Sequence, residues 1–182
     1  MEATGGGPGR VLLVCGMPGA GKSTLARRLA QERAAVRLCP DEWLPAIGVD
    51  PHDARARRAF ERLQWAQGLD LVARGLSVVV DFGSWGRVER RRVRDQARAL
   101  GAAVELHLLD VPLEERWRRV ARRNAEPGAV VITRAQLEAF QRWWQPPDQA
   151  ELAAYDAPPD PGQRRSGAAS SGPNPDEQVS SR

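Results

Sequence analysis

Five apolar residues, Val11-Leu12-Leu13-Val14-Cys15, run straight into Gly16-Met17-Pro18-Gly19-Ala20-Gly21-Lys22-Ser23-Thr24. No other junction in the 182 residues restricts the fold as much. A short run without a polar position suits a strand covered on both faces. Leu25, Ala26, Leu29 and Ala30 then recur at helical spacing, so strand, glycine-rich turn and helix follow one another directly.

The turn fits G-x-x-x-x-G-K-[ST] at every fixed position. Its glycines let successive backbone N–H groups face inward, along a path that a Cβ would crowd. The positive end of the following helix points at the same place. Gly16, Pro18, Gly19, Ala20, Gly21, Lys22, Ser23 and Thr24 are therefore the expected contacts of a nucleoside triphosphate. Lys22 would reach the β/γ-phosphates as a compact charge, and the Ser23 hydroxyl would ligate Mg²⁺.

Three further runs read as strands: Val36–Cys39, Leu76–Asp81 and Val104–Leu109. Between them lie helix patterns at Lys22–Arg33, Asp53–Arg74, Trp85–Leu100 and Leu113–Asn124. The long second helix carries Phe60, Leu63, Ala66, Leu69 and Val72 at helical spacing. Thr133 with Gln136 forms a capping box opening a last helix, which runs through Trp144 until Pro146-Pro147 stops it. Strands alternating with helices predict an α/β protein: a parallel sheet of about four strands wound by right-handed crossovers. Glu126 to Val131, broken by Pro127-Gly128, reads as a short lid. Residues 1–9 are a glycine-rich lead and 157–182 a Pro/Ser/Gly tail without apolar periodicity, both expected to be disordered. That leaves 10–156 as one domain.

Composition narrows the function less than the loop does. Lys+Arg is 27 against Asp+Glu 23, a net charge of +4, and 26 of the 27 are arginine. The single lysine is Lys22. GC-rich codon usage explains the arginine excess, and so would an anionic partner; composition leaves both readings open. No apolar run approaches the roughly 20 residues of a membrane span. Cys15 and Cys39 are too few for a disulfide scaffold and read as buried thiols of a cytoplasmic protein. With only His52 and His107, a His-rich metal site or His-based hydrolase triad has little support.

Two acids stand at the ends of apolar runs. Asp81 closes Val78-Val79-Val80, where open α/β sheets bind ligands, and is placed to hold Mg²⁺. The competing reading is a helix-capping aspartate. Phe82 follows, where motor ATPases place a glutamate that activates water, which favours transfer to a bound acceptor. Asp41, in Cys39-Pro40-Asp41-Glu42-Trp43, is either a base for an attacking hydroxyl or the N-cap of a short helix from Glu42. On the helix from Leu113, the residues Leu113, Trp117 and Val120 mark a buried face. Arg119 and Arg123 share another face, suited to neutralising phosphate charge or simply to solvation. Arg116, Arg118 and Arg122 stay open between the same two readings, whereas the clusters Arg55–Arg62 and Arg87–Arg98 read mainly as solvated.

From about Val11 to Glu151 the chain resembles a known group. The likeness rests on Gly16–Ser23, Pro40-Asp41-Glu42-Trp43 and Asp81-Phe82-Gly83-Ser84-Trp85 with Arg90. It continues through Trp117 to Asn124, Ile132-Thr133, and Pro146-Pro147 with Glu151. The group is that of small P-loop kinases related to zeta toxins, chloramphenicol phosphotransferase and the kinase domain of polynucleotide kinase. The resemblance implies a P-loop NTPase of three α/β/α layers with a short helical lid, and ATP with Mg²⁺ as donor. It also implies Asp41 as general base, with Arg119 and Arg123 as lid arginines. Polynucleotide kinases of the group carry Asp-x-Thr where this chain has Asp81-Phe82-Gly83.

The expected activity is transfer of the γ-phosphoryl of ATP to a hydroxyl of a small molecule, with Asp41, Lys22, Arg119 and Arg123 catalytic and Ser23 and Asp81 at the metal. Two alternatives stay open: a nucleotide-gated binding protein, and a 5′-hydroxyl polynucleotide kinase.

Overall fold

The structure, a computed structural model, describes residues 8–50, 53–127 and 129–159. Four strands, β1 (Val11–Gly16), β2 (Val36–Leu38), β3 (Val78–Gly83) and β4 (Val104–Leu109), form one parallel sheet in the order β2-β3-β1-β4. Every residue of β1 is buried, as its unbroken apolar run requires of a central strand. Seven helices follow in chain order: α1 (Lys22–Glu32), α2 (Pro40–Ala46), α3 (Ala54–Ala73), α4 (Arg87–Ala99), α5 (Leu113–Asn124), α6 (Arg134–Phe140) and α7 (Gln149–Leu152). Alternate side chains of β1 point to opposite cores. Val11 and Leu13 meet Trp65 and Val72 of α3 with Val93 and Ala97 of α4, while Leu12 and Val14 meet Ala26 and Leu29 of α1. This is a three-layer α/β/α arrangement.

Several expectations shift. β3 begins at Val78 and continues through Phe82 and Gly83, so Asp81 lies inside a strand and caps no helix. β2 stops at Leu38, and Cys39 is the N-cap of α2 with Pro40 in the first turn. Proline there gives up an N–H that has no helical partner anyway. Asp41 therefore sits inside the first turn of α2, and its reading as an N-cap is set aside. The buried line of α3 is Gln64, Trp65, Gly68 and Val72, and Leu63 is 68% exposed. Gly68 faces β2 on this line: a Cβ there would lie 2.7 Å from Leu38 Cδ1 and push that side chain aside.

The Thr133 capping box is present, with Gln136 N–H donating to Thr133 Oγ1 at 3.2 Å. α6 ends at Phe140, earlier than expected, in a tight 3-10 turn over Gln141–Trp143. α5 spans Leu113–Asn124 as expected, and Gly128 of the expected lid lies outside the described residues. So do 1–7 and 160–182, most of the expected disordered ends. The folded part reaches slightly past 10–156. Gly9 N–H donates to Val72 O at 2.9 Å, and Arg10 Nη2 donates to Ala157 O at 2.9 Å. Among the described residues no helix is long and apolar enough to cross a membrane.

Candidate nucleotide and phosphoryl-transfer site

The loop between β1 and α1 lies at the carboxyl edge of the sheet, its tip resting on α5. Gly19 has φ +80°, and a Cβ on it would stand 2.6 Å from Arg116 O and 2.9 Å from Val120 Cγ2. Only glycine both adopts that backbone and allows the approach. Lys22 Nζ donates to Met17 O at 3.1 Å, which folds the side chain back across the loop. Burial pushes the Lys22 ammonium below its usual value, and attraction from Asp81 and Asp41 opposes this only in part.

Asp81 is 4% exposed. Burial lifts its carboxyl above the usual range, against the pull of Lys22, a hydrogen bond from the Ser23 side chain and the charge of Arg37. Arg37 Nη1 donates to Asp81 Oδ2 at 3.3 Å. The Ser23 hydroxyl and the Asp81 carboxylate thus meet beside the loop, a pair of hard oxygen donors that fits Mg²⁺. No group of three or more His, Cys, Asp or Glu able to hold a metal gathers among the described residues. An ion here would complete its shell with phosphate oxygens and water.

Asp41 is exposed on α2 and ion-paired with Arg57 Nη1 of α3. Arg57 Nε also donates to Glu61 Oε1 at 3.0 Å, which braces the pair from behind. Burial works against the Arg57 charge, yet Asp41 and Glu61 outweigh it and hold the guanidinium above its ordinary range. Next to Asp41, Glu42 is held below the usual carboxylate range by hydrogen bonds from Arg37 and Arg27. Trp43 is 56% exposed, so it packs in no core.

The two expected lid arginines separate. Arg119 lies against the loop, with Nη1 donating to Ala20 O at 3.3 Å and Nε to Glu115 Oε1 at 2.9 Å. Arg123 turns away and its Nη2 donates to Val130 O at 3.3 Å. Asn124 ties down the same return segment: Nδ2 donates to Ile132 O at 2.8 Å, and Ile132 N–H donates to Oδ1 at 3.2 Å.

Arg116 does not belong among the solvated arginines. It is 2% exposed and forms the buried line of α5 together with Val120, while Leu113 and Trp117 are only half-buried. Arg116 Nε donates to Val111 O at 2.9 Å, but Nη1 is buried without a partner. Burial pushes this guanidinium below its usual value, and Asp110 offsets that only through space. It lines a cavity of about 150 Å³ with Met17, Asp110, Val111, Gln141 and Trp144. The i, i+4 spacing to Val120 was the available signal; an arginine-rich helix hid it.

Arg90 on α4 is also buried, 0% exposed, and fully paired. Nε and Nη2 grip Glu151 at 2.7 and 2.8 Å, and Nη1 donates to Trp85 O at 3.0 Å and Ser84 O at 3.2 Å. Ser84 has φ +49°, uncommon for a residue with a side chain, and Arg90 holds its carbonyl in place. Cys15 and Cys39 are buried, and burial raises both thiols to about 11.

A glycine cradle after the central strand, with a buried acid on the adjacent parallel strand, defines a P-loop NTPase. Within that class the chain belongs to the AAA_33 family, whose model, described as an AAA domain, matches residues 11–147. Among solved structures it is similar to a chain of the Pnkp1/Rnl/Hen1 RNA repair complex, with TM-score 0.67 and 19% identity over 86% of this chain. The match covers 49% of that chain, so this protein spans about half its length. A gluconokinase from Sinorhizobium meliloti 1021 matches with TM-score 0.54, 18% identity and 78% of each chain. The APS kinase CysC of Mycobacterium tuberculosis, solved with AMPPNP and APS, matches with TM-score 0.53 and 22% identity, over 63% of this chain and 69% of that one. The fold is that of the small P-loop kinases. No curated protein matches the sequence.

Proposed function

We propose that the protein is an ATP-dependent phosphotransferase, acting in the cytoplasm, that moves the γ-phosphoryl group to a hydroxyl of a small-molecule acceptor. One observation carries this reading: Asp41 lies close enough to the loop for its charge to act on both Lys22 and Asp81. A carboxylate so placed accepts the proton of the acceptor hydroxyl as its oxygen attacks the γ-phosphorus. The bond from phosphorus to the β–γ bridging oxygen breaks, and ADP leaves. Lys22 turns from Met17 O to the phosphates, and the loop N–H groups hold them in line. Ser23 and Asp81 would hold Mg²⁺, which would supply positive charge to offset the phosphates. Arg119, already at the loop, neutralises charge developing on the transferred group. Arg123 reaches that group only once the segment it holds at Val130 moves, which makes it the lid-dependent arginine. Arg57 keeps Asp41 oriented before the acceptor arrives. The gluconokinase and APS kinase among the similar structures support phosphoryl transfer.

The RNA-repair likeness favours a second reading, a 5′-hydroxyl polynucleotide acceptor. Polynucleotide kinases of the group that this chain resembles carry Asp-x-Thr where it has Asp81-Phe82-Gly83, which speaks against that reading. Acceptor-stimulated ADP release across hydroxyl metabolites and 5′-hydroxyl oligonucleotides separates the two. Asp41→Asn should lower transfer by about 10²–10⁴ while leaving ATP affinity intact. Full turnover by Asp41→Asn would overturn the base assignment. Lys22→Ala should lose nucleotide binding itself.

A further inference from the structure

Buried charges in proteins are paired or hydrogen-bonded, because taking a charge out of water is costly otherwise. Arg116 departs from that rule. It is 2% exposed, its Nη1 has no partner, and no hydrogen bond joins it to Asp110 among the described residues. The side chain lines a cavity of about 150 Å³, large enough for a group of several heavy atoms. Met17 connects this cavity to the phosphate loop: it lines the cavity, and its carbonyl accepts from Lys22 Nζ.

We propose that this cavity is a second oxyanion subsite, separate from the glycine cradle, in which Arg116 pairs with a carboxylate or phosphate oxygen of a ligand. A planar guanidinium with a free donor matches the fork of such a group. Gln141 and Trp144 also line the cavity. Asp110, an exposed residue, lines the cavity too, so an anion would bind there against its charge. Two sources present this chemistry: an acid group on the acceptor, or the γ-phosphoryl group itself. The inference rests on the loop being the nucleotide cradle.

The test uses the full chain, first saturated with ADP and then with AMPPNP. Each form is titrated by calorimetry with acetate and with inorganic phosphate. Wild-type protein should bind one of these anions saturably in at least one form. Arg116→Met should weaken that binding by about tenfold or more, with ADP affinity unchanged. Binding to both forms assigns the subsite to the acceptor's acid group. Binding to the ADP form that AMPPNP abolishes assigns it to the γ-phosphoryl. No saturable anion binding in either form, or equal binding by Arg116→Met, would overturn the proposal. Arg116→Lys keeps the charge without the fork and should fall between the two; it substitutes if Arg116→Met does not fold. Wild-type protein that binds neither ADP nor AMPPNP would instead sink the cradle reading, a result distinct from any anion titration.

Discussion

Two arginines about equally hidden from water, on the helices following β3 and β4, sit in opposite circumstances. Arg90 spends every guanidinium nitrogen, two on Glu151 and one on the Ser84 and Trp85 carbonyls. Arg116 spends one on Val111 and leaves Nη1 bare beside a cavity. Trp144 touches both environments: its ring lies 6.0 Å from the Arg90 guanidinium and also lines the cavity. The contrast separates two uses of a buried charge. A satisfied one fixes backbone, here the strained Ser84 turn at the carboxyl edge of β3. An unsatisfied one leaves a donor facing the cavity, which the proposed subsite would use.

The largest effect should come from breaking the satisfied site. Arg90→Met leaves the buried Glu151 with only the half-exposed Arg87, 3.2 Å away, and should cost about 3–5 kcal/mol in urea unfolding. Combining it with Glu151→Leu should recover most of that loss. A single variant losing under about 1 kcal/mol would mean that the clamp does not hold the turn.

Glu105, 1% exposed on β4, tests the same rule with the opposite charge. Burial would raise it, but His107, Arg33 and Arg10 more than compensate and hold it below its ordinary value. A depressed folded pKa contributes stability above the unfolded value, about 4.3, and loses it as pH falls through the folded one. Glu105→Gln should therefore cost about 1–3 kcal/mol at pH 7, with the gap closing in acid. A gap that stays constant with pH would place the effect in packing.

The smallest change belongs to the unsatisfied site. Arg116→Met removes a buried charge that few groups compensate, so urea stability should move by no more than about 1 kcal/mol in either direction. A loss as large as that of Arg90→Met would make Arg116 a structural clamp and erase the contrast.

Much of the scaffold could be read before any coordinates. The strands announced themselves as apolar runs because the sheet is covered on both faces, and the glycine loop because its backbone path excludes side chains. Thr133 and Gln136 marked a helix start through purely local chemistry. What escaped depends on tertiary partners. α7 has four residues and forms because Asp148 caps it and Arg90 holds Glu151. On α3, Leu63 looked like core and is exposed, because the helix turns Gln64, Trp65, Gly68 and Val72 inward instead. Around the loop, the glycine pattern itself singles out Lys22 and Ser23, and the apolar runs before Asp81 and Asp41 draw attention to those acids. Arg119 and Arg123 share a helical face, and nothing in that spacing says that one meets the loop and the other Val130. Arg116 was invisible among 26 arginines, because charge alone does not reveal which guanidinium lacks a counterpart.

Asn124 has a consequence of its own. By giving and receiving a hydrogen bond at Ile132, its side-chain amide does the work of a peptide unit in a neighbouring strand. The stretch between the two residues is thereby sealed at its root. Residues added or removed at its outer end need not disturb α5, so this is where the domain tolerates insertion. Aspartate would keep the acceptor and lose the donor, and glutamine would overshoot by a methylene. A single amide thus sets the border between the part of the chain free to vary in length and the part that is not.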